Sequence, residues 1–335
     1  LLEQFQVPIG LIGSSWGGTI IQAWMAQNAI DVCPPPSLSQ QQQQTLQRVV
    51  FNPYVPPIAA GLGPNNFTVL FNGMIAPFVP MSLRGVVWYQ GEQNSNLNYN
   101  CGGPRLYGCL FRSLIADWRR LFGAHIGFHF VQLPGSTDYF PHGDPDGFYP
   151  ELRLQQASVL DNNTNVCMAS AVDLGDWFSP LGSVHPRLKE PVAQRLFQCA
   201  LAVTYGIAGV PFAGPQLSHV AVHAASIELR FKNVGAGLRV RSNATAHEMF
   251  CPRDCNNCCA WFDVELGRLG NWIALNGTIS SPSTVELRIP QGLAPTAVRY
   301  LFGDWPIATI CNEFGLPLTP FVVPLTATTA ATTHT

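Results

Sequence analysis

The feature that most limits how this chain can fold is a change of pattern near Gly209. Before it, four apolar segments, Pro8 to Ile12, Leu83 to Tyr89, Ile126 to Leu133 and Val166 to Leu174, alternate with helical stretches. Apolar strands that alternate with helices form a parallel sheet covered on both faces, because a parallel crossover needs a helix to return the chain. Two of the helices are legible. Leu106 to Phe122 has helical periodicity, and Leu188 to Tyr205 begins just beyond His185-Pro186 and is apolar on one face. From Val210 to Val323 short alternating segments replace them, such as Ser226 to Phe231 and Val285 to Ile289, separated by Gly, Pro and Asn turns. That pattern predicts an antiparallel β-sandwich. The expected organisation is an α/β domain over residues 1–208, a sandwich over 209–325 and a disordered tail over 326–335, where TATTAATTHT offers nothing for a core.

Turns at strand ends are where an α/β sheet places its chemistry. The first candidate strand runs into Gly13-Ser14-Ser15-Trp16-Gly17-Gly18 and then a helix-like run, Ile20 to Met25. Two readings stand side by side. Gly13-Ser14-Ser15-Trp16-Gly17 fits the Gly-x-Ser-x-Gly elbow that presents a nucleophile, here Ser15. In the other, Gly17 and Gly18 lend bare backbone N–H groups to an oxyanion hole and the nucleophile lies elsewhere. The second strand ends on Gln90-Gly91-Glu92-Gln93-Asn94, which sets amides and a carboxyl at the same sheet edge, with Gln90 able to point at an oxyanion. Gln132 to Gly135 ends the third strand and is expected to line the cleft. Asp173 to Asp176 ends the fourth, and His185 follows just before a helix, where a general base belongs. The other seven histidines lack a partnering motif, and Trp88 reads as core.

Charged residues make up only 11% of the 335 residues and hydrophobic ones 47%, against roughly 25% charged in soluble domains. Uncharged polar groups or attached sugar must then keep the surface soluble. Four Asn-x-Ser/Thr sequons, at Asn66, Asn162, Asn243 and Asn276, are candidate glycan acceptors. Ten cysteines suit an oxidising compartment. Cys251, Cys255, Cys258 and Cys259 form a cluster without a histidine, expected to hold disulfides rather than zinc. With a net charge of −2 and lysine only at 189 and 232, there is no basic stripe for nucleic acid or an anionic membrane. No apolar run reaches the length of a membrane span. The opening, LLEQFQ, reads as a helix end leading into a strand, as expected of a piece of a longer precursor.

Taken together, PIGLIGSSWGGTIIQAW, LFNGMIAPF, LRGVVWYQGEQN, Ala116-Asp117-Trp118-Arg119, Pro150 to Arg153, DLGDWFSPLGSVHPRLK, AVRYLFGDWP and GLPLTPF resemble the sialate O-acetylesterases of the SGNH-hydrolase superfamily, in order along nearly the whole chain. The resemblance implies a flavodoxin-like parallel sheet. It also implies removal of O-acetyl groups from sialic acids by a serine nucleophile and a histidine base, without metal or cofactor, in secreted or lysosomal glycoproteins. Carried over by motif, His185 is the catalytic histidine, Gly17 or Gly18 lies near the oxyanion hole, and Gln90 and Asn94 belong to the third block. The triad acid falls to Asp176 or Asp173, or a backbone carbonyl orients the ring, since Ser183 and Gly182 stand where relatives carry an Asp. The family's nucleophile sits in a Gly-Gln-Ser-Asn motif after the first strand, and that motif does not occur here. The expectation is a sheet without its first strand and a serine supplied by a segment outside this chain. The alternatives are a non-catalytic, carbohydrate-binding or structural half of a processed enzyme, or an esterase using Ser15.

Overall fold

The structure, a computed structural model, describes residues 6–33, 63–95, 103–136, 148–161, 163–241, 262–267 and 270–325. Three parallel strands form the first sheet: β1 (Gly85–Trp88), β2 (Gly127–Gln132) and β3 (Val166–Ser170), in that order. Helices α1 (Gly103–Phe122), α2 (Phe148–Ala157) and α3 (Lys189–Cys199) cover it. The α1 sequence explains its placement. Tyr107, Leu110, Phe111, Leu114, Ile115, Trp118 and Phe122 recur at three- and four-residue spacing and are all buried. Their aromatic rings interlock with the sheet, Phe111 against Phe130 at 5.0 Å and Trp88 against Trp118 at 5.9 Å, so Trp88 is core, as read from the sequence. Gly108 lets α2 come close: a Cβ there would stand 2.5 Å from Gln155 Oε1. Disulfides Cys33–Cys109 and Cys167–Cys199 tie the first helical turns to α1 and β3 to α3.

The remaining strands build the sandwich. One sheet runs β4 (Gln216–Val222), β5 (Ser226–Lys232), β10 (Thr284–Arg288), β9 (Gly277–Ser281). The other runs β13 (Phe321–Pro324), β11 (Pro295–Tyr300), β7 (Phe262–Leu266), β8 (Trp272–Leu275). The named pairs are antiparallel. Alternation along β5 buries Ile227, Leu229 and Phe231, which share one core with Val285, Leu287, Phe262, Val264 and Tyr300. A two-stranded piece, β6 (Arg239–Val240) with β12 (Ile310–Cys311), completes the set.

One expected element is corrected. Pro8 to Ile12 forms no strand: the segment lies exposed, with Leu11 at 92%. A strand exists through its ladder, and among the described residues no neighbour lies beside this one. The run after it is a short 3-10 turn, Ile21–Trp24, rather than an α-helix. The clustered cysteines, Asn162, Asn243 and the tail lie outside the described residues. No helix among the described residues is long and apolar enough to cross a membrane.

Candidate active site

The turn after β1 and the Gly17-Gly18 turn are built as one unit. The Gln90 amide donates to Thr19 O (2.9 Å) and to Asn94 Oδ1 (2.8 Å), and its Oε1 accepts from the Tyr107 hydroxyl (2.8 Å). Asn94 Oδ1 also accepts from the Ile21 N–H (2.8 Å), while its own amide donates to Gln22 Oε1 (3.1 Å). Asn65 grips the same backbone from the other side, accepting from Ile20 N–H and donating to Gly18 O. These bonds satisfy backbone groups that a 3-10 turn leaves open. Gly91 has to be glycine, for its φ is 140° and a Cβ would meet Leu152 Cδ2 at 2.9 Å and Gln156 Nε2 at 3.2 Å. Gln90 and Asn94 are therefore buried holders of the turn, with both Gln90 amide hydrogens already engaged. Gly17 and Gly18 stand exposed, with nothing within 4 Å of either Cβ position. Ser15 is exposed as well, and no hydrogen bond or ion pair joins its side chain to another described residue.

His185 sits on a closed loop. At the base of that loop the Asp176 carboxylate accepts from the Arg187 backbone N–H (3.2 Å) and binds its guanidinium in a two-point grip, with one contact at 2.9 Å. Across the loop the Ser179 hydroxyl donates to His185 O (2.6 Å), and His185 N–H donates to Gly182 O (3.0 Å). The imidazole itself is exposed and makes no hydrogen bond to another described residue. Glu92 lies in the middle of the Gln90 to Asn94 turn. Burial raises the Glu92 carboxyl above the ordinary range, while its own backbone amide, Lys189 and His185 pull it down. Lys189 Nζ lies 4.7 Å over the Tyr89 ring and donates to its hydroxyl at 3.3 Å, so the α3 start is pinned to the same strand end. Asp173 is committed elsewhere: Arg195 binds it at 2.6 and 2.7 Å, and Arg241 lies 2.9 Å away.

Of the glycan acceptors, Asn66 is half-buried in a turn and Asn276 is exposed between β8 and β9. One grouping of metal-type ligands occurs among the described residues, His129 with Cys167 and Cys199, but both sulfurs are spent in the disulfide.

No protein-family model matches the chain. It is 33% identical to the sialate O-acetylesterase of Rattus norvegicus over 97% of its own length and 62% of that protein, and 33% identical to the Homo sapiens sialate O-acetylesterase over 97% and 59%. The chain belongs to the sialate O-acetylesterase family. It spans about three fifths of the length of these relatives. Its fold superposes on the crystal structure of a carbohydrate acetylesterase from Xanthomonas citri with a TM-score of 0.74 at 26% identity, covering 96% of this chain and 62% of that one. The parallel sheet with its helices and the antiparallel sheets behind it are thus shared with an enzyme described as acting on acetylated carbohydrate.

Proposed function

We propose that this chain is the histidine-bearing part of a carbohydrate acetylesterase that removes O-acetyl groups from sialic acids. The observation that carries the reading is the exposed His185 ring, on a clamped loop whose far end is pinned through Lys189 to Tyr89 at the β1 end, next to the Gln90 turn that is itself stapled to the Gly17-Gly18 turn. In this reading a serine hydroxyl attacks the acetyl carbonyl as His185 takes its proton. The backbone N–H groups at Gly17 and Gly18 face the developing oxyanion, and Gln90 and Asn94 hold those groups in place. The tetrahedral species collapses to an acetyl-serine as the sugar oxygen leaves with the proton from His185. Water then gives a proton to His185 as it attacks the acetyl-serine, and acetate is released as the serine oxygen takes that proton back. Asp176 acts through Arg187 by fixing the loop.

The serine is proposed to arrive on a segment outside this chain, as a strand against the free edge of β1. Three features support that. Among the described residues β1 pairs with β2 alone, Val87 on it is 65% exposed, and no hydrogen bond joins the Ser15 side chain to a base. The relatives, being longer, have room for such a segment. Two disulfides in the described residues fit a secretory or lysosomal setting for both parts. The test is release of acetate from an O-acetylated sialic acid by the protein carrying its upstream sequence. His185→Ala should abolish most of it, and unchanged turnover in that variant would end the proposal.

A further inference from the structure

The sandwich sends one loop back to the catalytic edge. After β11, residues 301–306 (LFGDWP) lie across the carboxyl ends of β2 and β3. The buried Arg153 guanidinium holds the loop by donating to Leu301 O (3.2 Å), Gly303 O (2.9 Å) and Asp304 O (2.9 Å). The Tyr149 N–H donates to Asp304 Oδ1 at 3.3 Å. Burying a guanidinium to bind three carbonyls is an expensive way to fix a loop that does only structural work. What the loop delivers is Trp305. Its ring lies over two glycines that follow β2 and β3: a Cβ at Gly135 would stand 3.1 Å from it and one at Gly175 2.9 Å. The ring meets Trp177 edge-on at 5.2 Å, and both residues are half-buried.

This aromatic pair is joined to the His185 loop at two points. Trp177 directly follows Asp176, the residue that closes the loop on Arg187. Ser136 spans the gap from the other side, its N–H donating to Asp304 O at 3.0 Å and its hydroxyl 3.4 Å from that of Ser183, two residues before His185. We infer that Trp305, delivered by the sandwich, and Trp177 form an aromatic wall of the active site that takes the apolar face of the substrate's sugar ring beside the acetyl group. The commitment to a sugar rests on the function proposed above. Sugar rings present C–H groups on one face, and a rigid aromatic surface with an open edge binds such a face while hydroxyls stay in water. The sandwich then contributes specificity to the esterase site.

The test uses the protein with its upstream segment and two substrates, an O-acetylated sialic acid and 4-nitrophenyl acetate, which carries no sugar. Trp305→Leu keeps apolar volume over the two glycines and removes the ring. It should raise KM for the sugar ester about tenfold while kcat and aryl-ester turnover stay within about twofold. Trp305→Phe should fall between it and wild type. An unchanged KM for the sugar, or equal losses on both substrates, overturns the inference. If Trp305→Leu fails to fold, Trp305→Phe and Trp177→Leu carry the same expectations. Sugar binding is read separately, by quenching of tryptophan fluorescence with unacetylated sialic acid. A wild-type protein that hydrolyses neither ester refutes the esterase reading, and the wall is then judged by binding alone. Quenching weakened about tenfold in Trp305→Leu supports it, and absent or unaltered quenching overturns it.

Discussion

At the β3 edge of the parallel sheet the neighbouring layer comes from the sandwich and α3, with Arg195 and Arg241 converging on the Asp173 carboxylate, whose side chain is 0% exposed. At the β1 edge nothing comparable stands among the described residues. Val87 is 65% exposed, and Leu11, Ile12 and Trp16 on the preceding segment are exposed by 92%, 49% and 55%. Yet both strands are largely apolar, GVVW and VCMAS, and every residue of β3 is buried. The difference teaches that β1 has the sequence of an interior strand and the surroundings of an edge one. An open apolar edge is a template for pairing with another strand, which is why the serine-bearing segment is proposed there.

The strongest way to break that comparison is catalytic. Expressed with its upstream segment, the protein should hydrolyse an acetyl ester at least about a thousandfold faster than residues 1–335 alone, and His185→Ala should remove a similar factor. Ser15→Ala should change neither. Fast hydrolysis by the short form, lost in Ser15→Ala, would mean that the β1 edge is not where the nucleophile docks. Next in size is the finished edge. Asp173→Ala takes the shared counter-charge from two mostly buried guanidiniums and should cost about 3–5 kcal/mol in urea unfolding. A cost below about 1 kcal/mol, the range of an exposed pair, would show that this cluster does not secure the β3 side.

Much of this contrast was written in local pattern. The α1 periodicity, the β5 alternation and the three strands 85–88, 127–132 and 166–170 follow from residue spacing, and each lies within the segment expected for it. Pro8 to Ile12 failed for a non-local reason: an apolar run becomes a strand only when another strand pairs with it. The site divides in the same way. The Gln90 to Asn94 turn follows β1 directly, as its place after an apolar run implies, whereas the Gly17 turn follows a segment that forms no strand. By contrast, the Gln90 to Thr19 staple, the Arg153 hold on 301–304 and the Arg241 contact with Asp173 join residues 71, about 150 and 68 positions apart, distances over which spacing carries no information.

Between the two edges lies β2, buried along its whole length, and it gives a pH-dependent probe of the sheet's centre. His129 on β2 bonds through Nε2 to Thr204 Oγ1 at 2.8 Å, and burial lowers its pKa to about 4. Its ordinary value is near 6.5. The unfolded chain therefore binds the extra proton first as pH falls. The neutral ring's contribution to stability is complete above about pH 6.5 and is lost on descending toward pH 4, to a limit of about 3 kcal/mol. Urea midpoints measured from pH 7 to pH 4.5 should fall accordingly, and His129→Gln should flatten the slope. A slope that survives the substitution would assign the loss to other groups.

The smallest expected effect bears most directly on what covers β1. A lysine in place of Val87 meets mainly water in residues 1–335, since the native side chain is already 65% exposed, so the variant should unfold within about 0.5 kcal/mol of wild type. In the protein with its upstream segment the same side chain would sit beneath a paired strand and its helix layer. Burying an unpartnered ammonium there should cost about 2 kcal/mol or more. The two-form difference is the informative quantity, because a general dislike of lysine in this strand shifts both forms alike and cancels. Equal effects in the two forms would mean that Val87 stays exposed in the longer protein and that the docking edge lies elsewhere on the molecule.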